Sequence, residues 1–325
     1  MSDDADKNVA GDWPPSAGLG ALRERARLLA LSREFFAERG VLEVETPAMA
    51  HAGASDVHIA SLATVSQDGR RLYLQTSPEF AMKRLLAAGS GPIYQVCRAF
   101  RDGESGPLHN LEFTLLEWYR PGFDEHALMD ELDDLLSRLL GTRSSKRRMT
   151  YRQACVELGG FDPFEASTPV LREHADARGL RVPRDDPGER DLLLDFLFSR
   201  VVQPALEGRV FVYDYPASQA ALARVRASQP PVAARFELFV DGIEIANGYH
   251  ELADAVELRR RFNADGRARE SRGLEQMPMD ERLIAALDHG LPDCSGVAVG
   301  LDRLFMIATG QTSIESVIAF PTSRA

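Results

Sequence analysis

The stretch Ile93–Tyr119 reads IYQVCRAFR, then DGESGPLHN, then LEFTLLEWY: two strands joined by a loop rich in Gly, Pro, Ser and Asn. Alternation with a period of two places Phe113, Leu115, Glu117 and Tyr119 on one face of the second strand, and Thr114, Leu116 and Trp118 on the other. A carboxylate is thus expected among apolar neighbours on a sheet. Arg101 ends the first strand, so its guanidinium should face the strand that carries Glu117. A guanidinium donates two parallel hydrogen bonds and never loses its proton, which suits phosphate or carboxylate, whereas Glu117 suits a cation. A surface hairpin with an incidental arginine would read the same way, so the rest of the chain has to decide.

Composition is that of an ordinary globule. The chain has 325 residues, 44% hydrophobic and 27% charged, enough for one large catalytic domain or two small ones. Its 38 Lys and Arg against 49 Asp and Glu give a net charge of -11, which opposes long-range attraction to nucleic acid. The apolar run Leu192–Leu197 falls well short of a membrane span, and the acidic start MSDDADKNVAGDWPP is no secretory signal, so the cytoplasm is expected. Cys97, Cys155 and Cys294 have no CxxC spacing and read as reduced thiols. The basic cluster Lys146-Arg147-Arg148 reads as a solvated linker.

In chain order, Leu22, Ala26, Leu29 and Phe36 recur at helical spacing up to Gly40, and VLEVETP follows as a strand that stops at Pro47. LYLQT reads as a strand and SPEFAMKRLLAAG as a helix, with Ser77 as N-cap, Pro78 in its first turn and Gly89 beyond its end. Glu79 at that helix start would complement the helix dipole even without another role. Leu128, Leu132, Leu135 and Leu139 mark an amphipathic helix ending at Gly141, and 142–208 reads as helical with polar, Pro-containing breaks. Further on, FVYDYP is a strand, and FELFV and IEIANGYHEL flank the turn Asp241-Gly242. Ile243, Ile245, Asn247, Tyr249 and Glu251 share one parity there, and Glu237 and Glu244 lie across the turn, where a solvated edge would also carry them. SGVAVGLDRLFMIAT, Ser295–Thr309, reads as a buried strand, a glycine and a helix with Arg303 in its first turn, a place that favours an anion.

These pieces together resemble the class II aminoacyl-tRNA synthetases. The helix, strand and Pro47 follow the order of motif 1; Phe100-Arg101, His109 and Phe113 look like motif 2; and Ser295–Thr309 resembles motif 3, with Arg303 as its arginine. HNLEFTLLEWY and the tail IESVIAFP are similar to the lysine-specific branch. The resemblance implies an α+β fold, an antiparallel sheet flanked by helices, with motif 1 pairing two subunits into a homodimer. It implies that Arg101 and Arg303 are catalytic, Arg101 bridging the substrate carboxylate and the α-phosphate of ATP, while His109 and Arg303 meet the outer phosphates. Asp102, Gly103 and Glu104 are carried over as ATP-binding positions, with Asn110 and Phe113 packing on the nucleotide and Ile245 and Gly300 beside it. Glu237 and Glu244 would hold Mg2+ and ATP.

For the amino acid, the resemblance implies that Glu117, Tyr119 and Glu251 surround a distal ammonium. Glu79 and Asn247 lie nearer the α end, and Gly53, Ser77, Pro78, Tyr249 and Ala298 complete the pocket. LEVETP, TSPEF, EFTLLEWYRP, ANGYHEL and PDCSGVAVGLDRL carry the match closer still, to the elongation factor P lysine ligase family, over Ala17–Ala325. That family activates (R)-β-lysine with ATP and joins it to a lysine of elongation factor P, without tRNA and away from any membrane. In keeping with it, residues 1–16 read as an extension and 17–325 as the catalytic domain, with an insertion at about 142–208 and no anticodon-binding barrel expected before motif 1. Two departures stand out: Gly103 where motif 2 usually has Glu, with Glu104 following, and Ala298 in place of the middle glycine of lysyl motif 3, where the ligase family also has Ala. A lysyl-tRNA synthetase-like enzyme with another acceptor and a non-catalytic amino-acid-binding regulator remain as alternatives.

Overall fold

In a computed structural model, which describes residues 13–141, 146–181, 183 and 188–325, the expected hairpin of β5 (Ile93–Phe100) and β6 (Glu112–Pro121) forms, with Gln95 opposite Glu117 and Ile93 opposite Tyr119. The main sheet also contains β1 (Leu42–Glu43), β7 (Lys146–Thr150), β8 (Arg209–Pro216), β10 (Val232–Val240), β11 (Ile243–His250) and β12 (Cys294–Gly300). They run in the order β1-β5-β6-β12-β11-β10-β8-β7, with β9 (Val225–Arg226) paired to β10. All contacts are antiparallel except β1 with β5 and β7 with β8. A small sheet of β2 (Met49–Ala50), β3 (Ala63–Val65) and β4 (Arg71–Leu74) lies outside it.

One face of the large sheet is covered by α1 (Leu19–Glu38), α3 (Glu125–Leu140) and α9 (Leu301–Thr309). Leu28, Phe36, Trp118, Leu128, Leu132, Phe236, Val297 and Phe305 share one core there. The outward parity of Leu116 and Trp118 supplies this layer, which leaves the Glu117 face free. A second core gathers Tyr151, Leu193, Leu197, Tyr215 and Phe239 around α4 (Tyr151–Ala154), α5 (Thr168–Asp176) and α6 (Glu189–Leu197). A third joins α2 (Glu79–Ala87), α7 (Ala255–Ser271) and α8 (Glu281–Gly290) through Met82, Leu86, Phe262, Leu283 and Leu287. Among the described residues no helix is long and apolar enough to cross a membrane, and Cys97, Cys155 and Cys294 are free thiols.

Several expectations hold in detail. α3 ends on Gly141 at φ 68°, and Asp241 and Gly242 both take positive φ in the β10–β11 turn. Two need correction. Residues 142–208 are not helical throughout, because Lys146–Thr150 is an edge strand parallel to β8. Its charges, which suggested a linker, are those of a protected sheet edge: Lys146 and Arg148 both pair with Asp130, and Arg147 pairs with Glu157. Parity along β11 is also interrupted, since a bulge leaves Ile245 unpaired between Leu238↔Ala246 and Phe239↔Glu244. Glu244 is thereby returned to the side of Asn247 and Tyr249. Residues 1–12 of the expected N-terminal extension, and 142–145 at the start of the expected insertion, lie outside the described residues.

The three motif-like segments are tied by one buried network. Arg25 of α1 bonds Asp302 Oδ1 at 2.5 Å and Thr114 Oγ1 at 2.6 Å, while Asp302 Oδ2 accepts from the Thr114 amide at 2.6 Å. Asp302 is 2% exposed, so removing its partner strands a charge away from water. Arg25→Ala is expected to cost about 3–5 kcal/mol of folding stability. Urea unfolding would check this, and a midpoint equal to the parent's would contradict it.

Candidate active site

The free face of the sheet floors a cleft of about 1590 Å³, walled by the 47–59 segment, α2, the β5–β6 loop and α6. Its lining includes Arg101, Glu104, His109, Asn110, Phe113, Glu117, Tyr119, Glu237, Glu244, Ile245, Asn247, Tyr249, Glu251, Ala298, Gly300 and Arg303, together with Gly53, Ser77, Pro78 and Glu79. Every expected site residue except Asp102 and Gly103 therefore borders a single space. Those two form the turn behind Arg101, where the Asp102 carboxylate accepts from the Gly103 amide and Gly103 takes φ 75°. A Glu at 103 would be strained by that backbone, and it is Glu104 that reaches the cleft wall.

Arg101 lies just past the end of β5, with its guanidinium 5.1 Å above the Phe113 ring and 3.6 Å from Glu104. Its Nε is a buried donor with no hydrogen-bond partner among the described residues. Arg303 comes from the first turn of α9 and reaches across to the β5–β6 loop and to β11. It donates to the Leu108 carbonyl at 3.2 Å, the Glu244 carbonyl at 2.9 Å and His109 Nε2 at 2.6 Å. A guanidinium can only donate, so His109 accepts through Nε2; burial and the Arg303 charge lower its pKa and hold the ring neutral. His109 thus aims Arg303. His109→Ala is expected to raise KM for ATP about tenfold, the worth of one lost hydrogen bond to a charged group, and steady-state kinetics would check it.

At the other end lies an acidic pocket. Glu117 is 2% exposed and accepts from the Ser77 and Tyr119 hydroxyls, each at 2.7 Å. Burial, then the neighbouring Glu79 charge, pushes its carboxyl up to about 7 in spite of those bonds. Glu251 is 1% exposed and is pushed by burial to about 8. Ala298 pairs with Glu117 on one side and Asn247 on the other, so its methyl stands in the floor between them. Asn247 in turn donates to the Tyr249 hydroxyl at 3.1 Å.

Three features escaped the sequence reading. Lys83, one turn after Glu79 on α2, is a buried ammonium 2.5 Å from Glu79 and 2.6 Å from Glu251. Its signal was present as an i, i+4 pair of opposite charge on a helix whose other buried residues are apolar. Gly296 is required by close approach: a Cβ there would sit 2.3 Å from the Tyr119 ring and 2.7 Å from Glu251. Finally α6, from a region whose sequence offered no chemistry, brings Asp191 and Asp195 to the cleft wall, the latter pushed by burial to about 7.

The expected metal-binding pair is unequal. Glu237 has both oxygens engaged, by Arg235 and by the Tyr215 hydroxyl, and is 13% exposed, whereas Glu244 is 40% exposed and meets Arg303 only at 3.5 Å. Among the described residues no three His, Cys, Asp or Glu side chains form a metal cage. The donor set suits Mg2+, which takes one or two carboxylates and completes its shell with phosphate and water. Glu244 has the open oxygens, and each carboxylate lies within the other's field.

A family model described as tRNA synthetases class II (D, K and N) matches residues 19–324. The protein named Elongation factor P--(R)-beta-lysine ligase from Vibrio cholerae is 51% identical over 322 residues, covering 97% of this chain and 99% of the relative. Proteins of the same name from Pseudoalteromonas translucida and Yersinia enterocolitica are 50% and 51% identical, each covering 96% of this chain and 98% of the relative.

Proposed function

The chain belongs to the class II tRNA synthetase family of the D, K and N type, and from that premise we propose that it activates (R)-β-lysine with ATP and transfers it to a lysine side chain of elongation factor P. It is a ligase that forms an amide bond, and class II synthetase-like ligases draw on ATP. The observation that carries the reading is one cleft of about 1590 Å³ bordered by Arg101, Arg303 and the buried carboxylates, a volume above that of an ordinary small-ligand pocket.

In the first step a carboxylate oxygen of the amino acid attacks the α-phosphorus, the bond to the bridging oxygen breaks and pyrophosphate leaves. Arg101 holds the two reacting anions together and offsets their charge, and Arg303 meets the outer phosphates. Mg2+ at Glu244, with Glu237 adding charge, would neutralise phosphate oxygens. Phe113 and Asn110 pack on the nucleotide. Glu117, Tyr119, Glu251, Glu79 and Asn247 hold the amines, so that the carboxylate points at Arg101. In the second step an uncharged lysine amine of elongation factor P attacks the acyl carbon, the bond from that carbon to the AMP oxygen breaks, the nitrogen gives up one proton to water, and an amide and AMP remain. The reading includes the cytoplasm as compartment and a homodimer built on α1 and the β1 edge, where Leu42 is 56% exposed. Light scattering at micromolar concentration should give twice the chain mass.

The test is the intact mass of elongation factor P after incubation with this protein, ATP and (R)-β-lysine. One β-lysyl residue per molecule is expected. An unmodified factor, from a preparation that does exchange pyrophosphate, would direct attention to tRNA or a small amine as acceptor.

A further inference from the structure

The carboxylates of the amine pocket already face one ammonium of the protein itself. Lys83 stands behind the pocket, outside the cleft lining, with its side chain 3% exposed. It hydrogen-bonds Glu79 Oε1 at 2.5 Å and forms an ion pair with Glu251 Oε2 at 2.6 Å. Glu117, held by the Ser77 and Tyr119 hydroxyls, completes the group. Three carboxylates against one ammonium leave two net negative charges when all are ionised. A diamino acid brings two ammonium groups, and its carboxylate goes to Arg101.

Resting on the function proposed above, we propose that Lys83 is a positioning residue which, acting from behind through Glu79 and Glu251, matches the charge of the amine pocket to a diamino acid. Without it the two buried carboxylates, Glu117 and Glu251, and the partly exposed Glu79 would lose the ammonium that balances them. Such carboxylates take up protons and lose their grip on an ammonium. Burial already carries Glu117 to about 7 and Glu251 to about 8, and the Lys83 charge pulls both down. The other groups facing them do not titrate near neutrality: burial raises the Tyr119 and Tyr249 hydroxyls well above their usual range, and the Cys294 thiol to about 12. From α8 the neighbours are Leu283, Ile284 and Leu287. Affinity for the diamino acid should therefore rise with pH through the range of the two glutamates, and removal of Lys83 should move that rise upward.

The experiment compares the parent protein with Lys83→Met and Lys83→Arg in pyrophosphate exchange from pH 6 to 9. In Lys83→Met, KM for the diamino acid at pH 7 should rise at least about tenfold, with the midpoint of its pH profile displaced upward by about one unit. KM for ATP should stay within about twofold, and Lys83→Arg should restore the parent midpoint. A Lys83→Met profile with the parent midpoint overturns the proposal, as does an equal loss in both substrates at every pH. If Lys83→Met does not fold, calorimetry of the parent in buffers of differing ionisation enthalpy decides: release of at least about half a proton per diamino acid bound at pH 7 is expected, and none overturns it. An inactive parent would instead count against the proposed function itself.

Discussion

Replacing Arg101 by alanine is expected to lower pyrophosphate exchange by about a thousandfold, equivalent to about 4 kcal/mol of transition-state stabilisation. The side chain is 29% exposed and stacks on Phe113, and its buried Nε has no hydrogen-bond partner among the described residues. Its loss leaves no stranded partner, so the thermal midpoint should move little. Arg101→Lys should recover only a small part of the activity, since a point charge on a flexible stem does not bridge two oxyanions as a planar fork does. Exchange rates of Arg101→Ala within tenfold of the parent would remove this residue from the reaction.

The second large effect concerns Glu117. Glu117→Gln keeps the shape but removes the charge, and KM for the diamino acid is expected to rise about a hundredfold, the range for one lost partner of a buried charged contact. Stability should respond in the opposite sense. The folded protein holds the Glu117 proton more tightly than the unfolded chain does, because the carboxyl is raised from 4.5 to about 7. Its contribution to folding therefore declines as pH rises across that interval and is most adverse above it. The glutamine escapes this cost, so the variant's thermal midpoint at pH 8 should equal or exceed that of the parent. A variant with unchanged KM, or one that melts well below the parent at pH 8, would contradict the role given to this carboxylate.

What could be read from the sequence follows a physical line. The β5–β6 hairpin, the Leu128–Leu139 stripe, the Asp241-Gly242 turn and the strand-glycine-helix at Gly300 are local patterns whose periods survive folding. Parity alone separated the face of Glu117 and Tyr119 from that of Leu116 and Trp118. Features set by contacts between distant segments were hidden. The bulge that turns Glu244 toward Asn247 arises from the pairing of β11 with β10 and leaves no mark in local composition. Lys146–Thr150 looked like a linker because its partner strand begins at Arg209. Lys83 drew no reading because Glu251, which completes its surroundings, is 168 residues away in a segment that no helical period connects to α2. Ser77 was expected as an N-cap; α2 begins at Glu79, whose amide does donate to the Ser77 hydroxyl at 3.1 Å, but the hydroxyl proton goes to Glu117. The residue serves helix and pocket together.

The most direct test is a crystal structure of the protein with a non-hydrolysable sulfamoyl analogue of the β-lysyl adenylate. The nucleoside should lie on Phe113 near Arg303, the sulfamoyl group should contact Arg101, and the two amines should meet Glu79, Glu117 and Glu251 in one continuous cleft. An analogue seated away from Arg101, or with its amines directed out of the carboxylate pocket, would contradict the account.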